Sequence, residues 1–137
     1  MNKPIENIKP KGRFLGVFVL VAIQSIVGII HIFFGFTMIL GIYSVAYSSA
    51  TLIYSYYTFS YGVLTLFFTF LFWKGARLGW IGTIAISAFV ILVDTLAAID
   101  LFNVLGIPNL AALGEIPYSF IIVFYLFEDH IRSKYSI

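Results

Sequence analysis

The chain has 137 residues, 61% of them hydrophobic and only 10% charged, with a mean hydropathy of +1.04. A soluble domain is roughly 45–50% apolar and about 25% charged, and one this small leaves too much surface exposed to hide such a share of apolar side chains. A net charge of +2 with no basic run is too weak to argue for nucleic acid, so no nucleic-acid partner is expected, and the lack of cysteine excludes disulfides, iron–sulfur clusters, thiolate–zinc sites and a cysteine nucleophile.

Four apolar stretches follow in chain order, at about residues 14–40, 52–73, 78–99 and 109–127. About 20 apolar residues cross a hydrocarbon core roughly 30 Å thick. Backbone groups cannot stay unpaired in lipid, and runs this long without strict alternation are helices. The first run follows a basic segment and precedes Ser48-Ser49-Ala50, as a signal peptide would. It is far longer than the roughly 7–15 residues of a signal core, so we read it as a retained span. The expected fold is all-α: one membrane domain over residues 1–137, a four-helix bundle with antiparallel neighbours, and tails at 1–12 and 131–137.

The basic residues set an orientation. Lys3, Lys9, Lys11 and Arg13 precede the first span, Lys74 and Arg77 separate the second and third, and Arg132 and Lys134 follow the fourth. The loops at 41–51 and 100–108 hold no Lys or Arg. Since cytoplasmic loops carry the excess of Lys and Arg, both termini and the 74–77 turn are expected in the cytoplasm of a cell membrane. Trp73 and Trp80 flank that turn as interfacial aromatics. The apolar segment 102–108 is expected to lie on the membrane or in the bundle mouth, with Gly106 as a break and Pro108 opening the last helix.

Each span carries a small or polar stripe at helical spacing, as helices packing in lipid require. In the first it is Gln24, Gly28, His31 and Gly35; in the second Ser55, Thr58, Gly62, Thr65 and Thr69. The third has Gly79, Thr83, Ser87, Asp94 and Ala98, the fourth Ala111, Glu115, Tyr118 and Tyr125. Helix packing is the plain reading of Gln24, Gly28, Gly35, Gly62, Gly79, Thr83 and Ser87; a polar pathway is the sharper one.

His31, Asp94 and Glu115 are the candidate ion site, because intramembrane ionisable groups face the bundle and find partners. At about 1.5 Å per residue, His31 and Asp94 lie roughly 27 and 26 Å from the cytoplasmic edge, and Glu115 about 20 Å. His31 and Asp94 are therefore expected within hydrogen-bond reach, directly or through a water. A His beside a carboxylate changes charge near neutral pH, which suits a proton or cation site open to the outside. A structural tether between spans, or two wet interfacial groups, are the alternatives. A metal held by His31, Asp94 and Glu115 is conceivable with one imidazole, but we expect no metal and no cofactor. His31 and His130 sit at opposite edges, so one chain cannot ligate a bis-His haem. Glu128-Asp129-His130 reads as a solvated helix end, and the tyrosines of residues 43–61 read first as an outer-interface belt, with a ligand-facing surface as the alternative. No hydrolase, zincin or nucleotide-loop motif occurs, so no catalytic residue is expected.

The basic lead into Phe14-Leu15-Gly16-Val17, the glycine-bearing first span, the hairpin Phe72-Trp73-Lys74-Gly75-Ala76-Arg77-Leu78-Gly79-Trp80 and the terminal Tyr125-Leu126-Phe127 together resemble a loose group of small four-helix membrane proteins of archaea and bacteria. That group has no established activity, so the resemblance implies the fold alone. The sequence is thus read as a non-catalytic accessory or structural subunit of a larger membrane assembly, partnered by lipid and by other membrane chains or copies of itself. The alternative is a homo-oligomeric channel or a proton- or cation-linked transporter using His31, Asp94 and Glu115.

Overall fold

The computed structural model describes residues 12–41, 49–99 and 109–135. Among these the chain is helical: α1 (Gly12–Ile39), α2 (Ser49–Trp73), α3 (Arg77–Ala98), α4 (Asn109–Leu126) and a short α5 (Asp129–Lys134). α1, α2 and α3 are each long and apolar enough to cross a membrane, while the apolar run of α4, Ala111–Leu126, is shorter. Helix starts and ends fall within three residues of the expected spans. The readings for Gly106, Pro108 and the 102–108 segment lie outside the described residues.

Many large apolar side chains face outward, among them Phe33, Phe67, Leu92, Ile121 and Phe124. The polar stripes face inward: Gln24, Ser55, Thr58, Thr65, Thr69, Thr83 and Ser87 are all buried. This inversion of a water-soluble fold is what a lipid solvent demands, since apolar surface costs nothing there and each polar group must find a protein partner.

Contacts follow chain order, α1 against α2, α2 against α3, α3 against α4. The α1–α2 seam is the most extensive, and glycine lets the two helices approach closely along it. A β-carbon at Gly28 would press on Leu66 and the Gly62 carbonyl, and one at Gly35 on the Phe59 backbone. Gln24 ties the same seam by accepting a 2.9 Å hydrogen bond from the Thr69 hydroxyl.

α2 ends in a Schellman turn. Gly75 takes φ +77°, its N–H donates to the Phe72 carbonyl, and the Ala76 N–H donates to that of Leu71. Only glycine takes that φ without strain, and the two bonds satisfy carbonyls the helix leaves unpaired. α3 then returns directly, with Gly79 against the Leu71–Phe72 backbone.

The segment expected as a trailing tail is instead part of the packed bundle. Ile131 and Tyr135 are buried with Val17, Leu20, Phe72, Trp80, Ile122 and Leu126 in one apolar cluster at the hairpin end. The Tyr135 ring stacks on Phe72 at 4.8 Å, and its hydroxyl donates to the Phe72 carbonyl at 2.7 Å. Burial pushes that phenol above its usual range, so it stays a donor. Trp80 donates its indole N–H to the Leu126 carbonyl at 2.9 Å. Glu128 and Asp129 are exposed, while His130 packs edge-on against Tyr125.

Candidate functional site

At the end of the bundle away from the hairpin, four helices contribute to one polar centre. α1 supplies His31, which lies four residues past Val27. The ring Nδ1 lies 2.8 Å from the Val27 carbonyl oxygen, and Nε2 lies 3.0 Å from Glu115 Oε1 on α4. The imidazole is thus joined to Glu115, not to Asp94 as its depth suggested. Depth from the edge fixes a level but not an azimuth. Both ring nitrogens are taken, by Val27 and by Glu115.

The geometry has a protonic consequence. A carbonyl only accepts, so Nδ1 carries a hydrogen and donates it to Val27. Nε2 and Glu115 Oε1 then meet over a single proton: the pair is either imidazolium and carboxylate or imidazole and carboxylic acid. Both forms have zero net charge, which suits a low-dielectric interior.

α3 supplies Asp94, 1% exposed, with no hydrogen-bond partner for its Oδ2. It lies within electrostatic range of both Glu115 and His31. α2 supplies tyrosines. Tyr61 meets the His31 ring edge-to-face at 4.8 Å and runs parallel to Tyr57 at 6.5 Å. The hydroxyls of Tyr57 and of Tyr118 on α4 are buried without hydrogen-bond partners. Among the described tyrosines of this group, Tyr54 and Tyr61 are buried and Tyr56 is well exposed, so the group presents mainly an inward face. Tyr43 and Tyr47 lie outside the described residues.

Below the centre, Gln24, Tyr61, Thr65, Thr83 and Ser87 line a cavity of about 10 Å³. That is close to the room one water molecule needs in a polar site. Tyr61 borders both the cavity and His31, so one polar column runs from Glu115 through Tyr61 to Gln24 and Thr69. The apolar cluster of the hairpin end closes it.

Pro117 is not among the sequence candidates, yet it sits inside α4 two residues after Glu115. A proline has no N–H, so the Leu113 carbonyl loses its helical donor beside the site. Among the described residues no group of three His, Asp or Glu side chains is placed to hold a metal ion. Comparison with protein-family models, with curated proteins and with solved structures returns no match, and the functional reading therefore rests on this geometry.

Proposed function

We propose that the chain is a four-span membrane protein, with both termini and the Lys74–Arg77 turn cytoplasmic, that accepts protons from the outer side into its bundle. α4 counts as the fourth span because its 18 residues rise about 27 Å, close to the thickness of the hydrocarbon core. The observation that carries the reading is Asp94: a carboxyl group 1% exposed, with an unpartnered oxygen, beside a His–Glu pair holding one mobile proton. An isolated buried carboxylate is too costly to persist as a bare anion, so this group takes a proton or meets a cation. The absence of a converging ligand set among the described residues favours the proton. His31 and Glu115, with side chains 18% and 24% exposed, form the accessible entry, and Asp94, 1% exposed at nearly the same level as His31, is the buried acceptor. The apolar cluster at the hairpin end acts as the closed barrier, and transfer across the membrane requires it to part.

The test is proton flux into vesicles containing the purified protein and a trapped pH-sensitive dye. The wild type is expected to dissipate an imposed pH gradient faster than empty vesicles, and Asp94→Asn to return the rate to that of empty vesicles. Equal rates for wild type, Asp94→Asn and empty vesicles would discard the reading.

One observation favours a second reading, that of an accessory subunit. Fewer of the residues of α1 are buried than of α2 or α3, and Phe18, Ile26, Ile29, Ile30, Phe33 and Phe36 face outward. A helix so little covered suits a face that packs on other membrane helices. Co-purification of a fixed set of other polypeptides, lost on α1 surface substitutions such as Ile26→Ala with Phe33→Ala, would favour it.

A further inference from the structure

On the lipid-facing side of the α1–α2 seam, toward the hairpin end, Phe18, Val21, Ala22, Leu66, Phe70 and Trp73 line an open, mostly apolar groove of about 360 Å³, to which Ser25 and Thr69 also contribute. Its volume lies in the range of small-molecule sites. Phe18 to Ser25 on α1, and Leu66 to Trp73 on α2, each rise about 10 Å, so the groove runs along roughly two thirds of one leaflet's hydrocarbon depth. The Phe18 and Trp73 rings meet edge-to-face at 6.3 Å at its mouth.

The mouth is positively charged. The Lys74 ammonium stands 4.6 Å above the Phe70 ring, a groove-lining side chain, and is exposed. Among the described residues no carboxylate forms an ion pair with Lys74. The opposite stretch of the same seam, at Ile29, Ile32, Phe33, Phe36 and Phe59, is purely apolar and has no such charge.

We infer that the Phe18–Trp73 groove is a binding site for an anionic membrane phospholipid, with one acyl chain along α1 and α2 and the headgroup phosphate on the Lys74 ammonium. A cation beside an interfacial tryptophan, above an apolar slot between helices, has the chemistry for such a lipid, whereas a zwitterionic headgroup brings its own cation to the phosphate. The inference needs the chain to lie in a membrane but does not depend on the proton-accepting centre.

Native mass spectrometry of the full-length protein, delipidated and titrated with phosphatidylglycerol or phosphatidylcholine of identical chains, tests it. Wild type is expected to retain phosphatidylglycerol preferentially. Lys74→Ala should bring the two lipids to parity, Lys74→Arg should restore the preference, and Ala22→Leu, which fills the groove, should weaken both. Arg77→Ala, on the same turn but off the groove, should leave the preference in place. Equal retention of the two lipids by wild type, or equal losses from Lys74→Ala and Arg77→Ala, would overturn the inference. So would an Ala22→Leu protein that binds lipid normally but loses a dimer present in wild type, since the groove would then be a contact between copies.

Discussion

A β-carbon at Gly62 would lie 2.7 Å from both the Gly28 carbonyl oxygen and the Ile32 nitrogen, and neither backbone atom can yield without the helices moving apart. Gly62→Ala is therefore expected to destabilise the bundle by about 1–3 kcal/mol, the usual penalty for overpacking. On α4, by contrast, a β-carbon added at Gly114 would meet nothing within 4 Å. There Gly114→Ala should be neutral or stabilise by up to ~1 kcal/mol through helix propensity. Reversible unfolding in mild detergent separates the two, and equal effects would mean that the α1–α2 seam is not as close as described. At the same scale, Glu115→Ala strips His31 of its partner, and a loss of about 1–3 kcal/mol is expected for the partly buried imidazole. Glu115→Gln keeps a polar group in reach and should lose less. If a double-mutant cycle with His31→Ala gave no coupling, the pair would not be a stable contact.

The helix ends carry the next set of expectations. The Leu126 carbonyl, at the end of α4, is met by the Trp80 indole, whereas the Phe72 carbonyl receives both the Tyr135 hydroxyl and the Gly75 N–H. Trp80→Phe removes a whole hydrogen bond and Tyr135→Phe one of two, so the first should cost more, with both of order 1 kcal/mol. Ile131→Ala, at 1% exposure, should cost about 2–5 kcal/mol as a buried large-to-small change. Thermal unfolding of the three variants checks the order. A silent Ile131→Ala would show that α5 is a loose appendage and not part of the barrier. α5 is itself locally well built, with Asp129 in its first turn and Arg132 and Lys134 in its last, matching the helix dipole.

For the whole molecule, the lack of any cysteine makes single-cysteine labelling direct. With the proposed orientation, Arg77→Cys and Asp129→Cys should react with an impermeant maleimide only from the cytoplasmic side, and Ser44→Cys only from the outside. Labelling of Arg77→Cys and Ser44→Cys from the same side would refute the second span. At this scale the molecule is a bundle with two different ends. One holds His31, Glu115, Asp94 and the tyrosines; the other is sealed by aromatic and aliphatic packing from every helix, including α5. The polar column between them makes the hairpin end the part that must change if anything is to pass.

Sequence alone determined the helices and their inward faces. Spanning length, the 3.6-residue period of small and polar residues, and the glycine at position 75 are local properties, and lipid leaves an apolar run few other conformations. It also determined that His31, Asp94 and Glu115 share one end, because depth follows from a constant rise per residue. Which of them pair was decided only by the tertiary structure. Partner choice depends on rotation about each helix axis and on the spacing between helices, which Gly28, Gly35 and Gly62 set through contacts some 30 residues apart. The same holds for Tyr57 and Tyr61, whose inward turn depends on what α2 packs against. It holds too for residues 129–135, whose composition reads as a polar tail. Only the folded bundle presents the Phe72 carbonyl and the apolar pocket that Tyr135 and Ile131 fill.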